Sequence, residues 1–182
     1  MTTHTVPRVG AVAPVAVVAA GVTLWFARAD WTTWPALSLF ALVGVALAAI
    51  DLDRHLLPRR IVYPTLAITA LLVTGQIAAA GHWDRLLSAA GGAVATAGFF
   101  YVIALTTQGL GLGDVRLGLL TGLIAGWSGP RQILLALLLT TVLGVLLGLI
   151  AARRAPGARQ RVPYGPAMIA GTLLAVWVQP PI

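Results

Sequence analysis

The sequence predicts an all-α fold, a polytopic transmembrane bundle of about seven spans with its N-terminus in the cytoplasm. Three observations lead there. Of 182 residues, 59% are hydrophobic and only 9% charged, whereas a water-soluble domain carries about a quarter charged residues. The apolar residues fall in long runs, several close to the roughly 20 residues that a helix needs to cross the hydrocarbon core. Arginines and tryptophans divide between opposite ends of those runs.

The first span is Val9–Ala27. It follows a short polar start, Met1 to Arg8, and is long enough to remain as a spanning helix rather than act as a cleaved signal. The second, Trp34–Leu52, runs from an aromatic start into Asp51-Leu52-Asp53-Arg54. The third is Ile61–Ala80. Leu86–Thr107 is the fourth, and a glycine-rich stretch follows it. The fifth, Asp114–Trp127, is short. The sixth, Ile133–Ala152, ends on the basic run from Arg153 to Arg161, which reads as a topology determinant. The seventh, Pro166–Val178, is short again. Brief loops leave one membrane domain, residues 1–182, with 1–33 as an extra N-terminal span and 34–182 as its core.

Orientation follows from the loops. With the loop after the second span in the cytoplasm, nine arginines lie inside and only Arg28, Arg85 and Arg131 outside. The six tryptophans, Trp25, Trp31, Trp34, Trp83, Trp127 and Trp177, then all stand at outer ends. Tryptophan favours the interface because its ring is apolar and its N–H seeks a partner. The formal charge of +7 is therefore read as loop charge facing an anionic leaflet, not as a nucleic-acid surface. The chain has no cysteine, which excludes disulfides and cysteine-based zinc sites, and no metal or cofactor is implied.

The acidic residues are few: no Glu and five Asp. Asp30 and Asp84 fall in outer loops as solvated charges. Asp51, Asp53 and Asp114 sit at cytoplasmic ends of spans, where an ionised carboxylate is expensive to bury. Counting roughly 1.5 Å per residue back from Trp127 and Trp34 puts both Asp114 and Asp51 near or inside the membrane, Asp114 the deeper. Gly109, Gly111 and Gly113 precede Asp114, which suggests irregular backbone beside a watery cavity, open to close approach by a substrate chain. Asp51 and Asp53 point to opposite faces if helical, so one of them faces that cavity. His55 follows Asp51 by one turn and reads as a solvated interfacial residue. Two neighbouring carboxylates suit general acid–base hydrolysis, one activating water and the other donating a proton. Serines 38, 88 and 128 form no plausible triad with His4, His55 or His82. Intramembrane aspartates also make proton relays, so a proton-coupled transporter is the main alternative. The Gly144-x-x-x-Gly148 pair suggests close helix packing.

Three segments resemble the type IV prepilin peptidases. Asp51 to Pro58, reading Asp-Leu-Asp-Arg-His-Leu-Leu-Pro, resembles the first family signature, an aspartate seven residues before a proline. Gly111-Leu112-Gly113-Asp114-Val115-Arg116 resembles the second, and Val162-Pro163-Tyr164-Gly165-Pro166 a third, C-terminal element. The resemblance implies an intramembrane aspartic endopeptidase that removes short basic leaders from prepilins or pseudopilins at the cytoplasmic face of the inner membrane. It selects Asp51 over Asp53 as the catalytic partner of Asp114. Gly111, Gly113, Arg116, Pro58 and Asp53 become site-shaping residues, with Arg116 either orienting the site or anchoring at the interface. Arg59 and Arg116 depart from the family pattern, which often has an acidic or amide residue at the first position and usually Lys at the second. Many members also carry a cytoplasmic domain with paired Cys-x-x-Cys motifs, linked to N-methylation. A chain without cysteine or room for that domain is expected to cut without methylating. An inactive member acting in assembly is a further alternative, which the intact aspartate pair disfavours.

Overall fold

The structure, a computed structural model, describes residues 31–54, 57–106, 110–154, 163–179 and 181. The expected first span, Val9–Ala27, lies outside the described residues, as does His55. Among the described residues are six α-helices: α1 Trp34–Arg54, α2 Arg59–Ala80, α3 Trp83–Thr106, α4 Leu112–Ser128, α5 Pro130–Arg154 and α6 Gly165–Val178. A single 3-10 turn, Trp31–Thr33, leads into α1. Every helix expected over these residues is present, and most extend past the apolar run because flanking polar residues complete the terminal turns.

Local chemistry explains the boundaries. Pro58, extended at φ −70° and ψ 123°, stands just before α2, where its missing N–H costs nothing. At the other end Gly81 takes φ 73°, and the amides of Gly81 and His82 close on the carbonyls of Ala78 and Ile77. A left-handed residue at this position is cheap only for glycine. Pro64 lies in the second turn of α2, and next to it Thr65 Oγ1 donates 2.7 Å to the Ile61 carbonyl.

Four helical segments are long and apolar enough to cross a membrane: Trp31–Leu52, Arg59–Ala80, Trp83–Thr106 and Pro130–Arg153. At 22 to 24 residues each they span about 33–36 Å, against a hydrocarbon core of about 30 Å. Their outward faces carry large apolar side chains, among them Leu42, Leu71, Leu87, Val94 and Leu134, each at least 70% exposed. That surface suits lipid and would be unusual in water.

The shorter helices have a different job. From Leu120 to Ser128 every residue of α4 is buried, so α4 is the central post and not a lipid-facing span. Leu117, Leu120 and Ile124 pack into one core with Phe40 and Leu47 of α1, Val62 and Val73 of α2, and Met168 and Ile169 of α6. Gly118, Gly122 and Gly126 form a stripe on α4 at four-residue spacing. A Cβ at 118 would lie 3.2 Å from Ala97 Cα, and at 122 and 126 it would run into the backbones of Gly92 and Ser88 of α3. The closest helix–helix packing therefore falls on these glycines. Gly144 plays another part: a Cβ there would collide with the ring of Tyr164, so this glycine seats an aromatic side chain rather than a second helix backbone.

The chain alternates direction, so the helix ends sort into two sets. Trp31, Trp34, Trp83, Trp127 and Trp177 share one end, while Asp51, Asp114 and Gly165 share the other. Four of the tryptophans are 37–77% exposed, as an interfacial role requires. Trp127 is the exception at 1% exposed, with its indole inside the core. Its value as an interface marker is lost, and with it the depth count taken from it.

Candidate active site

The site lies at the end of the bundle where the last turn of α1 meets the first turn of α6 and where α4 begins. Asp51, one turn before the end of α1, is only 5% exposed. Its Oδ2 accepts a 2.9 Å hydrogen bond from the amide of Gly165, 114 residues away. Gly165 is the first residue of α6, so the carboxylate sits against a helix N-terminus, where unpaired amides and the helix dipole favour negative charge. Only glycine permits this approach: a Cβ on residue 165 would lie 2.7 Å from that same oxygen. The turn before Gly165 is held by Tyr164, whose ring lies on Gly144 of α5. Ile169 of α6 meanwhile packs against Gly44 of α1. The α6 amide is thus aimed at Asp51 by contacts to two other helices.

Asp114 occupies the third position of α4 and is half-buried. Its Oδ2 reaches back to accept 2.9 Å from the amide of Gly111, while its own amide donates 3.1 Å to the Gly111 carbonyl. This reciprocal arrangement caps α4 and fixes the carboxylate's orientation. Both aspartates are therefore held by backbone amides at helix starts, Asp114 by its own helix and Asp51 by another. The two carboxylates, 63 positions apart in the chain (114 − 51), stand at the same end of the bundle.

The three sequence segments meet here. A Cβ on Gly113 would sit 3.1 Å from Leu57 Cβ, so the residue before Pro58 packs directly on the glycine before Asp114. Leu57 is buried at 8% exposed and belongs to the main core. Gly111 is extended at φ −98° and ψ 159°, whereas Gly113 is already helical. The expected irregular backbone is therefore confined, among the described residues, to the stretch before Leu112. At 113 the glycine serves close packing instead. Arg116 is half-buried on α4, one turn beyond Gly113, and the backbone of Asp53 belongs to the last turn of α1. Of the pair, Asp51 is the more enclosed by protein.

Gly165 and Leu57 are the residues that reading the sequence did not single out. The signal for Gly165 was present, as a glycine between an aromatic residue and the proline that opens a helix. Nothing local tied it to Asp51.

An all-α bundle with four membrane-length apolar helices and two carboxylates gathered at one end defines a membrane-embedded protein of paired-aspartate type. The chain belongs to the type IV leader peptidase family, whose model matches residues 38–149. It is 34% identical over 141 residues to the prepilin leader peptidase/N-methyltransferase of Pseudomonas putida, covering 73% of this chain and 46% of that protein. The protein of that name from Pseudomonas aeruginosa is 33% identical over 151 residues, with 80% and 51% covered. That of Aeromonas hydrophila is 30% identical over 152 residues, with 81% and 50% covered. The chain thus spans about half the length of the curated relatives it matches. No solved structure matches the chain significantly.

Proposed function

We propose that the protein is an aspartic endopeptidase that removes the basic leader from prepilins or pseudopilins, with Asp51 and Asp114 as its catalytic pair. The observation that carries this reading is that two carboxylates at one end of the bundle are each oriented by a backbone amide at 2.9 Å. In the reaction one carboxylate takes a proton from water as it attacks the scissile carbonyl. The other, protonated, donates to the departing amine. The amides of Gly165 and Gly111 hold the two acids in fixed orientation throughout, so no side-chain ordering is left for the transition state. Gly111 leaves the approach to Asp114 free of a side chain, and Gly113 seats Leu57 beside it. Pro58 sets the start of α2, and Arg116 shapes the rim.

The helical polarity supports an orientation in which the aspartate end faces the cytoplasm and the tryptophan end faces outward, in the inner membrane. Residues 34–182 form the peptidase core and 1–33 an additional span. The absence of cysteine from all 182 residues supports peptidase activity without N-methylation.

The test is co-expression with genuine prepilins, comparing wild type with Asp51→Asn and Asp114→Asn. Leader removal by wild type and its loss in both variants is expected. Cleavage that survives both substitutions refutes the pair, and absence of cleavage in wild type favours a transporter or assembly role. Mass measurement of the new N-terminus reads methylation; an added methyl group contradicts the peptidase-only reading.

A further inference from the structure

A second polar site opens at the tryptophan end, away from the aspartates. There Ser128 closes α4, Gly129 makes the turn and Pro130 starts α5. Gly129 takes φ 137°, which L side chains rarely adopt, and a Cβ there would lie 3.2 Å from Arg85 Nη1 and 3.4 Å from Gln132 Oε1. Beside this turn is a cavity of about 510 Å³. Arg85, Ser88, Ser128, Arg131, Gln132 and Gln179 contribute to its wall.

The wall is built from more than one element. Arg85 Nη1, from α3, donates 2.8 Å to the Ser128 carbonyl at the end of α4. Gln132 Nε2, from α5 and only 5% exposed, donates 3.1 Å to Gln179 Oε1 just past α6. Two hydroxyls in the lining have no such partner: Ser88 Oγ and Ser128 Oγ are buried without a hydrogen bond among the described residues. Ser128 is 0% exposed. Both oxygens are closed off by protein, so what the cavity offers an occupant comes from the open side chains on its wall.

The charge has a sign. Arg85 and Arg131 bring two positive charges, and Asp84, at 3.7 Å from Arg85 Nε with its side chain 78% exposed, offsets one of them. Most of the remaining hydrogen-bonding capacity is donor: guanidinium N–H groups and the amide of Gln179. Trp83 and Trp177, 58% and 37% exposed, stand next to this rim at the level expected of a membrane interface. We propose that this cavity binds an anionic phosphate group, with Arg85 and Arg131 as its charge partners and Gln179 as a further donor. A phosphate diester of an anionic lipid headgroup and free inorganic phosphate share this chemistry.

The test follows binding on the full chain purified in a neutral detergent. Thermal stability is titrated with phosphatidylglycerol, with phosphatidylcholine and with inorganic phosphate. Stabilisation by phosphatidylglycerol alone identifies the lipid headgroup as the source; stabilisation by inorganic phosphate as well supports a phosphate site open to either. Arg131→Gln and Arg85→Gln are each expected to weaken binding about tenfold, the loss of one charge-assisted contact. Arg85→Gln also gives up the bond to Ser128, so Arg131→Gln, at an exposed position, keeps the test independent of folding. Asp84→Asn removes the opposing charge and is expected to tighten binding. The proposal is overturned by an equal response to phosphatidylcholine, by no response to either anionic probe, or by affinities that Arg131→Gln and Asp84→Asn leave unchanged.

Discussion

Gly165→Ala isolates the contact that orients Asp51. The Gly165 amide donates to Asp51 Oδ2 over 2.9 Å. A methyl at residue 165 would stand 2.7 Å from that oxygen, 3.1 Å from Cγ and 3.2 Å from Cβ of Asp51. Carbon atoms pack best at roughly 3.5–4.0 Å, so the carboxylate has to retreat by about half an ångström. Asp51 is 5% exposed, which leaves little room for water to replace the lost donor. A hydrogen bond to a charged group contributes about 1.5–3 kcal/mol, and about 1.4 kcal/mol is a factor of ten. The expected loss is therefore about 10- to 150-fold in kcat/KM. The assay is the initial rate of leader removal from a labelled prepilin by purified enzyme, with Tm recorded in parallel. Gly75→Ala is the control, because a Cβ there meets nothing within 4 Å. If Gly165→Ala stays within about twofold of wild type at unchanged Tm, the positioning argument fails.

Three further expectations concern the frame. Gly122→Ala pushes a methyl into the Gly92 backbone, and Thr96 Oγ1 stands only 2.7 Å away; overpacking of this kind costs about 1–3 kcal/mol, read as a lower Tm. Gly98→Ala on α3, with open space around it, should instead match wild type or gain up to about 1 kcal/mol from helix propensity. Thr69 is fully buried on α2 with its hydroxyl unpartnered among the described residues. Thr69→Val keeps the shape and removes that group, so a Tm equal to or above wild type is expected. A clear drop would mean that the hydroxyl has a partner after all.

The sequence alone determined the helical class, the membrane character and the two aspartates. These are legible because they are local. A run of apolar residues must find lipid or core wherever it folds, and a carboxylate at the end of such a run is costly without a purpose. The segments around Asp51 and Asp114 announce themselves within a few residues, and the helix boundaries follow from prolines and glycines in place. Only the tertiary structure decided which apolar helix is the central post. Trp127 illustrates the reason: an indole at a helix end reads as an interface anchor until neighbouring helices enclose it. The glycine stripe of α4 was equally silent, because glycine spacing does not reveal which backbone will lie against it. The bond from Gly165 to Asp51 depends on α6 docking between α1 and α5 across 114 positions of chain. Such a contact has no local signature; its energy exists only once the helices have packed.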